Sequence, residues 1–392
     1  MRDREAGSYE ITAVAGEAVR AFVPAPLPPG APPLDLAGTL LARVRTAEEA
    51  IVRLELAGAM VPSLDWFIYA FVRKEAVLST QIEGTQTTLM DLLTFEAPDT
   101  SDQPPPNADV EEVCNYLEAM RFAREQLADP RGLPLSMRLL NATHALLMRG
   151  VRGAQKRPGE VRQSQNWLGG SRPGNALYVP PPPHLLPALL GDFEQYIHAD
   201  DGLPPLVRAG LLHVQFESLH PYLDGNGRLG RLLVALLLEH WGLLSQPLLY
   251  LSLFFKRHRP TYYQRLDAVR AEGDWEGWLD FFLDGVATVA DEAVASARDL
   301  FALVADDRRR VLAHDGTTVV AARLFELLPR HPIVTNAWAV AHLATTKPTA
   351  ARAIEALVGA AVLVEVTGRK RDRSYAYRAY LDRLRVGTEL DA

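Results

Sequence analysis

Cysteine is almost missing from this chain, Cys114 being the only one in 392 residues. One thiol excludes an internal disulfide framework and a cysteine-based metal site. Cys114 itself reads as a small buried apolar residue of the helix DVEEVCNYLEAM. An excess of basic charge is missing too. Forty-one Lys and Arg stand against 48 Asp and Glu, a net charge of −7, so no global attraction to nucleic acid is expected, and only a local basic patch would bind it. No long hydrophobic run appears near the richest motif. Leu232 to Leu238 falls far short of the ~20 apolar residues that span a bilayer. The opening MRDREAGSYEITAVAGEAV has no long apolar stretch behind its basic head, so a signal peptide is not expected and a cytoplasmic protein is. There is no internal repeat, and no strand-rich region is evident before residue 306.

What is present is helical periodicity in a chain 48% hydrophobic, long enough for two or three cores. Residues 1–35 end in FVPAPLPPGAPPLDL and read as an extended Pro-rich arm. Residues 36–106 form a helical N-terminal domain that closes on the break APDTSDQPPPNAD. Residues 107–305 form a helical core, with helices near 108–128 and 135–149 and a hairpin-like loop, KRPGEVRQSQNWLGGSRPGNALYVPPPP. Residues 306–392 differ: three short helices precede two β-prone runs around the basic turn GRKRDR. That layout predicts a winged helix, with Thr345 to Leu357 as its recognition-type helix behind an N-cap Thr. DNA contact and a packing or dimerisation role are both open to such a unit. The fold class expected is mainly α.

Residues 220–231 read HPYLDGNGRLGR, which contains a literal G-x-G-x-x-G. A dinucleotide-binding fingerprint must follow a strand and meet an acidic residue near the end of the next strand. Here helical spacing continues on both sides, so that reading fails. The stretch joins a loop to the start of an apolar helix, where unpaired N–H groups and partial positive charge attract phosphate. Gly225 and Gly227 let the backbone approach an anion, Asn226 can cap and donate, and Arg228 and Arg231 sit three apart as guanidinium groups for phosphate oxygens. Asp224 is placed to hold Mg²⁺ between two phosphates, and His220 is a candidate base for a hydroxyl nucleophile. Singly each has a bland explanation in packing or solvation. Together within twelve residues they do not.

The stretch resembles the Fic-domain signature His-Pro-Phe-x-Asp/Glu-Gly-Asn-Gly-Arg-x-x-Arg, with Tyr222 in place of Phe. The likeness extends from about residue 36 to nearly the end of the chain. It implies a Fic helical core with a β-hairpin flap, and adenylylation: AMP passes from ATP to a Ser, Thr or Tyr hydroxyl of a protein, this chain included. His220 would then take the hydroxyl proton, Asp224 would hold Mg²⁺, and Gly225, Asn226, Gly227, Arg228, Leu229, Gly230 and Arg231 would form the phosphate cradle. Tyr263, rather than Tyr262, would close over the adenine, and the flap, roughly Gln163 to Tyr178, would pair with an extended segment of the target. A homodimer is a family-level expectation only.

A second stretch, STQIEGTQ at 79–86, resembles the family's inhibitory Ser/Thr-x-x-x-Glu-Gly/Asn motif. Ser79 and Glu83 lie one helical turn apart, and Gly84 ends the helix. The resemblance implies that Glu83 pairs with Arg231 and withholds it from the nucleotide, so that ATP binds out of line for attack. At 4 Å and an effective dielectric of 20 such a pair is worth at most about 4 kcal/mol. Two rivals remain beside AMP transfer: AMP removal, with Glu83 orienting water, and a DNA-binding regulator whose Fic site only senses nucleotide.

Overall fold

The computed structural model describes residues 4–60, 64–97, 108–368 and 372–390. The expected arm is, over much of its length, a β-hairpin: β1 (Gly7–Val14) and β2 (Glu17–Pro24) pair antiparallel, Gly7 opposite Pro24 and Val14 opposite Glu17. Two facts make this a hairpin rather than an arm. The residues alternate, and the two-residue turn holds Ala15 at φ 50° and Gly16 at φ 83°, the left-handed pair whose twist matches that of the flanking strands.

Helices α1 (Gly38–Met60), α2 (Leu64–Ile82) and α3 (Leu89–Glu96) follow. α3 starts on a reciprocal cap between Thr88 and Asp91. Next come α4 (Ala108–Ala128), α5 (Met137–Leu147), α6 (Leu186–His198), α7 (Pro205–Leu219) and α8 (Asn226–His240). α7 is buried from Leu206 to Leu219 and α8 nearly all round, as befits the two central helices of a bundle. After α9 (Ser252–Arg257) and α10 (Arg259–Glu272), α11 (Trp275–Ala313) runs for 39 residues. α11 packs along α1 and locks onto α7 where the Trp278 indole N–H donates to the Gly210 carbonyl at 2.9 Å.

α11 carries straight through the boundary expected at 305/306, so Arg308, Arg309 and Arg310 belong to its last turns and not to a new helix. Beyond it lie α12 (Val319–Leu327), β3 (Ile333–Thr335), α13 (Asn336–Leu343), α14 (Lys347–Gly359), β4 (Val364–Glu365), β5 (Ser374–Ala376) and α15 (Arg378–Leu384). The three strands are antiparallel in the order β3-β5-β4. α14 begins behind Thr346, one residue later than expected, and exposes Lys347 and Arg352 beside Glu355 and Val358. The run after Ser374 leaves the sheet at Tyr377 and becomes α15. Arg369 to Arg371 of the basic turn lie outside the described residues. No helix among the described residues is long and apolar enough to cross a membrane.

Candidate active site

His220 ends α7 in a left-handed conformation, φ 46°, which a non-glycine residue adopts only when its surroundings over-determine it. Arg162 supplies much of that constraint. Its guanidinium, 2% exposed, donates to the carbonyls of His220 at 2.9 Å and Pro181 at 2.6 Å. Its backbone N–H donates to Pro221 O at 2.9 Å. The His220 ring is half-buried. Burial first, then the positive charges of Arg162 and Arg270, pull its pKa down to about 3. The ring is thus neutral and able to accept a proton at any physiological pH. Its NMR titration in the nucleotide-free protein is expected to show no protonation between pH 8 and pH 5. A midpoint near the ordinary 6.5 would contradict this environment.

The loop from Pro221 to Gly225 is held by side chains from elsewhere. Tyr222 is fully buried, stacks on His144 with ring centroids 3.8 Å apart, and its hydroxyl donates to Asn141 Oδ1 at 2.6 Å. The extra hydroxyl relative to Phe therefore has a partner. His144 Nδ1 accepts from the Gly159 N–H at 2.8 Å, which leaves Nε2 to carry the proton and donate to Asp224 O at 2.9 Å.

Asn226 departs from its expected role. It sits inside the first turn of α8, and Gly225, at φ 77°, takes the cap position. The Asn226 amide accepts from Tyr222 N–H at 2.9 Å and donates to Tyr222 O at 2.8 Å. Both ends are occupied because the tight loop leaves those two Tyr222 backbone groups without partners of their own. The amide positions the loop and is not free for phosphate. Asn226→Ala is expected to cost about 1–3 kcal/mol, the penalty for leaving buried polar groups unpaired, read as a lowered midpoint in urea unfolding.

The two arginines also part company. Arg228 is 3% exposed; one Nη donates to Glu112 Oε2 on α4 at 3.0 Å, and the other contacts Met148 Sδ at 3.3 Å. Arg228 thus ties α8 to α4, because Glu112, 1% exposed, needs a counter-charge, while the other Arg228 Nη lies 3.7 Å from Asp224 Oδ1 at the site. Burial raises the pKa of Glu112, and Arg228 and Arg152 oppose the rise. Arg231 turns instead to α2. Its Nε donates to Ser79 Oγ at 2.9 Å, and one Nη donates to Ser79 O and Glu83 Oε1, each at 2.8 Å. Burial opposes its charge, but Glu83 and Glu217 outweigh that and hold Arg231 firmly protonated. Gly84, at φ 97°, releases the chain from α2 immediately after Glu83.

Gly227 lies so close to the Glu83 carboxylate that a Cβ there would collide with it. Leu229 is fully buried, and Gly230 abuts the Glu217 carboxylate and the Phe216 ring, an added Cβ meeting them at 2.5 and 3.2 Å. Both shape the helix from within rather than face a ligand. Tyr262 lies in the core against His213 (hydroxyl to Nε2, 2.9 Å), whereas Tyr263 is 41% exposed. The Tyr263 phenol is raised by burial first and then by the Glu83 charge.

Asp224 Oδ2 accepts from Lys156 Nζ at 2.9 Å, and Oδ1 accepts from the Gly225 N–H at 2.8 Å. Burial pushes its pKa up, but Lys156, the Gly225 N–H and Arg228 together bring it below the usual value. Among the described residues no three His, Cys, Asp or Glu cluster. The donor set here is a single ionised, partly exposed carboxylate. That suits Mg²⁺ carried in on phosphates, which asks for only one or two protein carboxylates. The expected flap is less regular than a hairpin: a lone antiparallel bridge joins Leu168 and Tyr178, with a short 3₁₀ turn at Pro173–Asn175.

Arg162, His144, Glu112 and Lys156 escape the reading of the sequence. Each is an ordinary residue of a helix or loop until the fold brings it beside residues 220–228.

Residues 41–125 match the model described as Fic/DOC family N-terminal, and residues 134–238 match that of the Fic/DOC family. Over 128 residues the chain is 34% identical to the protein adenylyltransferase Fic of Aedes aegypti, covering 32% of this chain and 23% of that protein. For the protein of the same name from Drosophila grimshawi the identity is 32% over 144 residues, 36% of this chain and 27% of that one. The chain therefore spans about a quarter of the length of these curated relatives. A solved Fic family protein from Desulfovibrio desulfuricans G20 shares the fold, with a TM-score of 0.56 at 21% identity over 88% of this chain and 97% of that one. Residues 41–125 and 134–238 thus carry the likeness to the N-terminal and core domains of the Fic/DOC family.

Proposed function

We propose that this chain transfers AMP from ATP to a hydroxyl of a protein and that Glu83 restrains the reaction. The observation that carries the reading is the junction of α2 with α8: Ser79 and Glu83 occupy the guanidinium of Arg231 beside the N-terminus of α8, which lies inside the signature. Three parts of the chemistry can be assigned to residues. The first-turn N–H groups of α8 face a phosphate with partial positive charge. Asp224 would hold Mg²⁺, which would supply positive charge to the phosphates. His220, neutral in the free protein, takes the proton of the attacking hydroxyl as its oxygen bonds to the α-phosphorus and the bond to pyrophosphate breaks. Negative phosphates nearby would stabilise the resulting imidazolium and raise a base whose free pKa is low.

ATP is held productively only when Arg231 is free to meet its outer phosphate, which is why Glu83 acts as a competitor. We read the region after α11 as a winged helix; its α14 surface, with Glu355 among its exposed residues, does not favour a DNA-reading role over a packing one. The test is label transfer from ATP into protein in the presence of Mg²⁺ and cell lysate. Label from the α-phosphate and none from the γ-phosphate is expected. Label from the γ-phosphate, or none from either in the Glu83→Gly protein, would overturn the reading in favour of a kinase-like reaction or of AMP removal.

A further inference from the structure

The flap cannot hold its shape alone. Between Gln163 and Tyr178 it has one bridge, built from Leu168 N–H to Tyr178 O at 2.8 Å and the N–H groups of Leu177 and Tyr178 to Leu168 O at 2.9 and 3.1 Å. It contains Gly169, Gly170 and Gly174, and an isolated two-stranded ribbon is marginal in water even when regular. The hairpin β1–β2, with eight paired positions, lies along this flap from base to tip. At the base the Phe22 N–H donates to Val179 O at 2.9 Å, and the Phe22 and Tyr178 rings approach to 6.3 Å. Along the face, Val14, Val19, Ala21 and Val179 form a cluster against Trp167 and Ala176. At the tip Arg172 pairs with Glu17, whose carboxylate also lies against Gly174. The hairpin is itself tied down. Gln215 Nε2, on the helix that carries His220, donates to Ala25 O at 3.0 Å, and Arg4 forks onto Glu276 with two bonds of 2.8 Å.

We propose that the N-terminal hairpin is a fixed backing for the flap, setting the affinity of the protein target without touching the nucleotide. The hairpin covers one face of the flap and the Val179 end, and leaves exposed Gln163, Ser164 and Leu177, the last 86% exposed. An extended segment of the target docks on that open side, which Arg162 joins to the catalytic turn through Ser164 O at 3.3 Å and His220 O at 2.9 Å. The inference rests on the AMP-transfer reading of the same site, but its first test does not.

That test is amide exchange in the nucleotide-free full chain, read on peptides covering 165–179, for Ala21→Arg, which forces a charge into the hairpin–flap cluster, and for Glu17→Arg. Glu17 is half-buried, so the second variant serves if the first unfolds. Faster exchange in the flap, by about fivefold for Glu17→Arg, is expected, with recovery in Glu17→Arg/Arg172→Glu. In the active protein the same variants raise KM for the protein target and leave KM for ATP unchanged. Unchanged flap exchange overturns the backing role, whatever the catalytic outcome. Faster exchange with target KM unchanged overturns the link to affinity. Faster flap exchange in a chain that never transfers AMP keeps the backing and removes only the reaction.

Discussion

Replacing Glu83 with glycine is expected to raise the rate of the proposed AMP transfer. The carboxylate holds a guanidinium at 2.8 Å in a site where Arg231 is only 4% exposed, so it competes with any phosphate that seeks the same charge. The upper limit of about 4 kcal/mol for such a pair and the factor of ten per 1.4 kcal/mol put the gain between about tenfold and about a thousandfold. The variant should fold, since Arg231 keeps both bonds to Ser79 and Glu83 lies in the turn just after α2. Glycine also removes the group that crowds Gly227, so the approach to the first turn of α8 opens as the brake is lifted. Initial rates of α-label incorporation, wild type against Glu83→Gly at one ATP concentration, measure the effect. Equal rates would mean that the contact is structural and restrains nothing.

The second large effect runs the other way. His220→Ala in the Glu83→Gly protein is expected to lower AMP transfer by roughly 10²- to 10⁴-fold, the usual contribution of a positioned general base. ATP affinity should survive, because the phosphate-facing N–H groups belong to α8 and not to the His220 ring. The loop should survive as well. What Arg162 grips at His220 is the backbone carbonyl, which alanine retains, although alanine must still accept the left-handed φ of 46°. A control at the same position, His220→Asn, separates the two contributions: it suits the left-handed backbone but is no base, and it should be as inactive as alanine. An active His220→Asn protein would assign the proton to another group.

Much of the site is legible in the sequence because its pieces are local. A glycine pair before an apolar helix, a carboxylate and a histidine within a few positions, and two arginines one turn apart state their own geometry, and the Ser79–Glu83 spacing states the face they share. What the sequence conceals is pairing at a distance. Arg228 carries the same local signal as Arg231, yet its partner is Glu112, 116 positions earlier, and nothing in the local pattern announces that tie. Asn226 misleads for a related reason. Its residue type is right for a cap, but the Gly before it takes the cap and the amide goes to Tyr222. The N-terminal hairpin is a different case: alternation was visible in SYEITAV and EAVRAFV, but the turn between them is Ala-Gly rather than the Asn-Gly or Asp-Gly that announces such turns. α11 hid the domain boundary because its helical period continues unbroken from Trp275 to Ala313, past the point where composition changes.

The central claim is that Glu83 restrains the proposed AMP transfer through Arg231. Its most direct test is the initial rate of α-label transfer in Glu83→Gly compared with Glu83→Gly/Arg231→Ala. If the claim holds, removing Arg231 abolishes the gain that removing Glu83 produces, since the released guanidinium is what engages the nucleotide. A double variant as fast as Glu83→Gly would contradict it, and Glu83 would then act on something other than the arginine it touches.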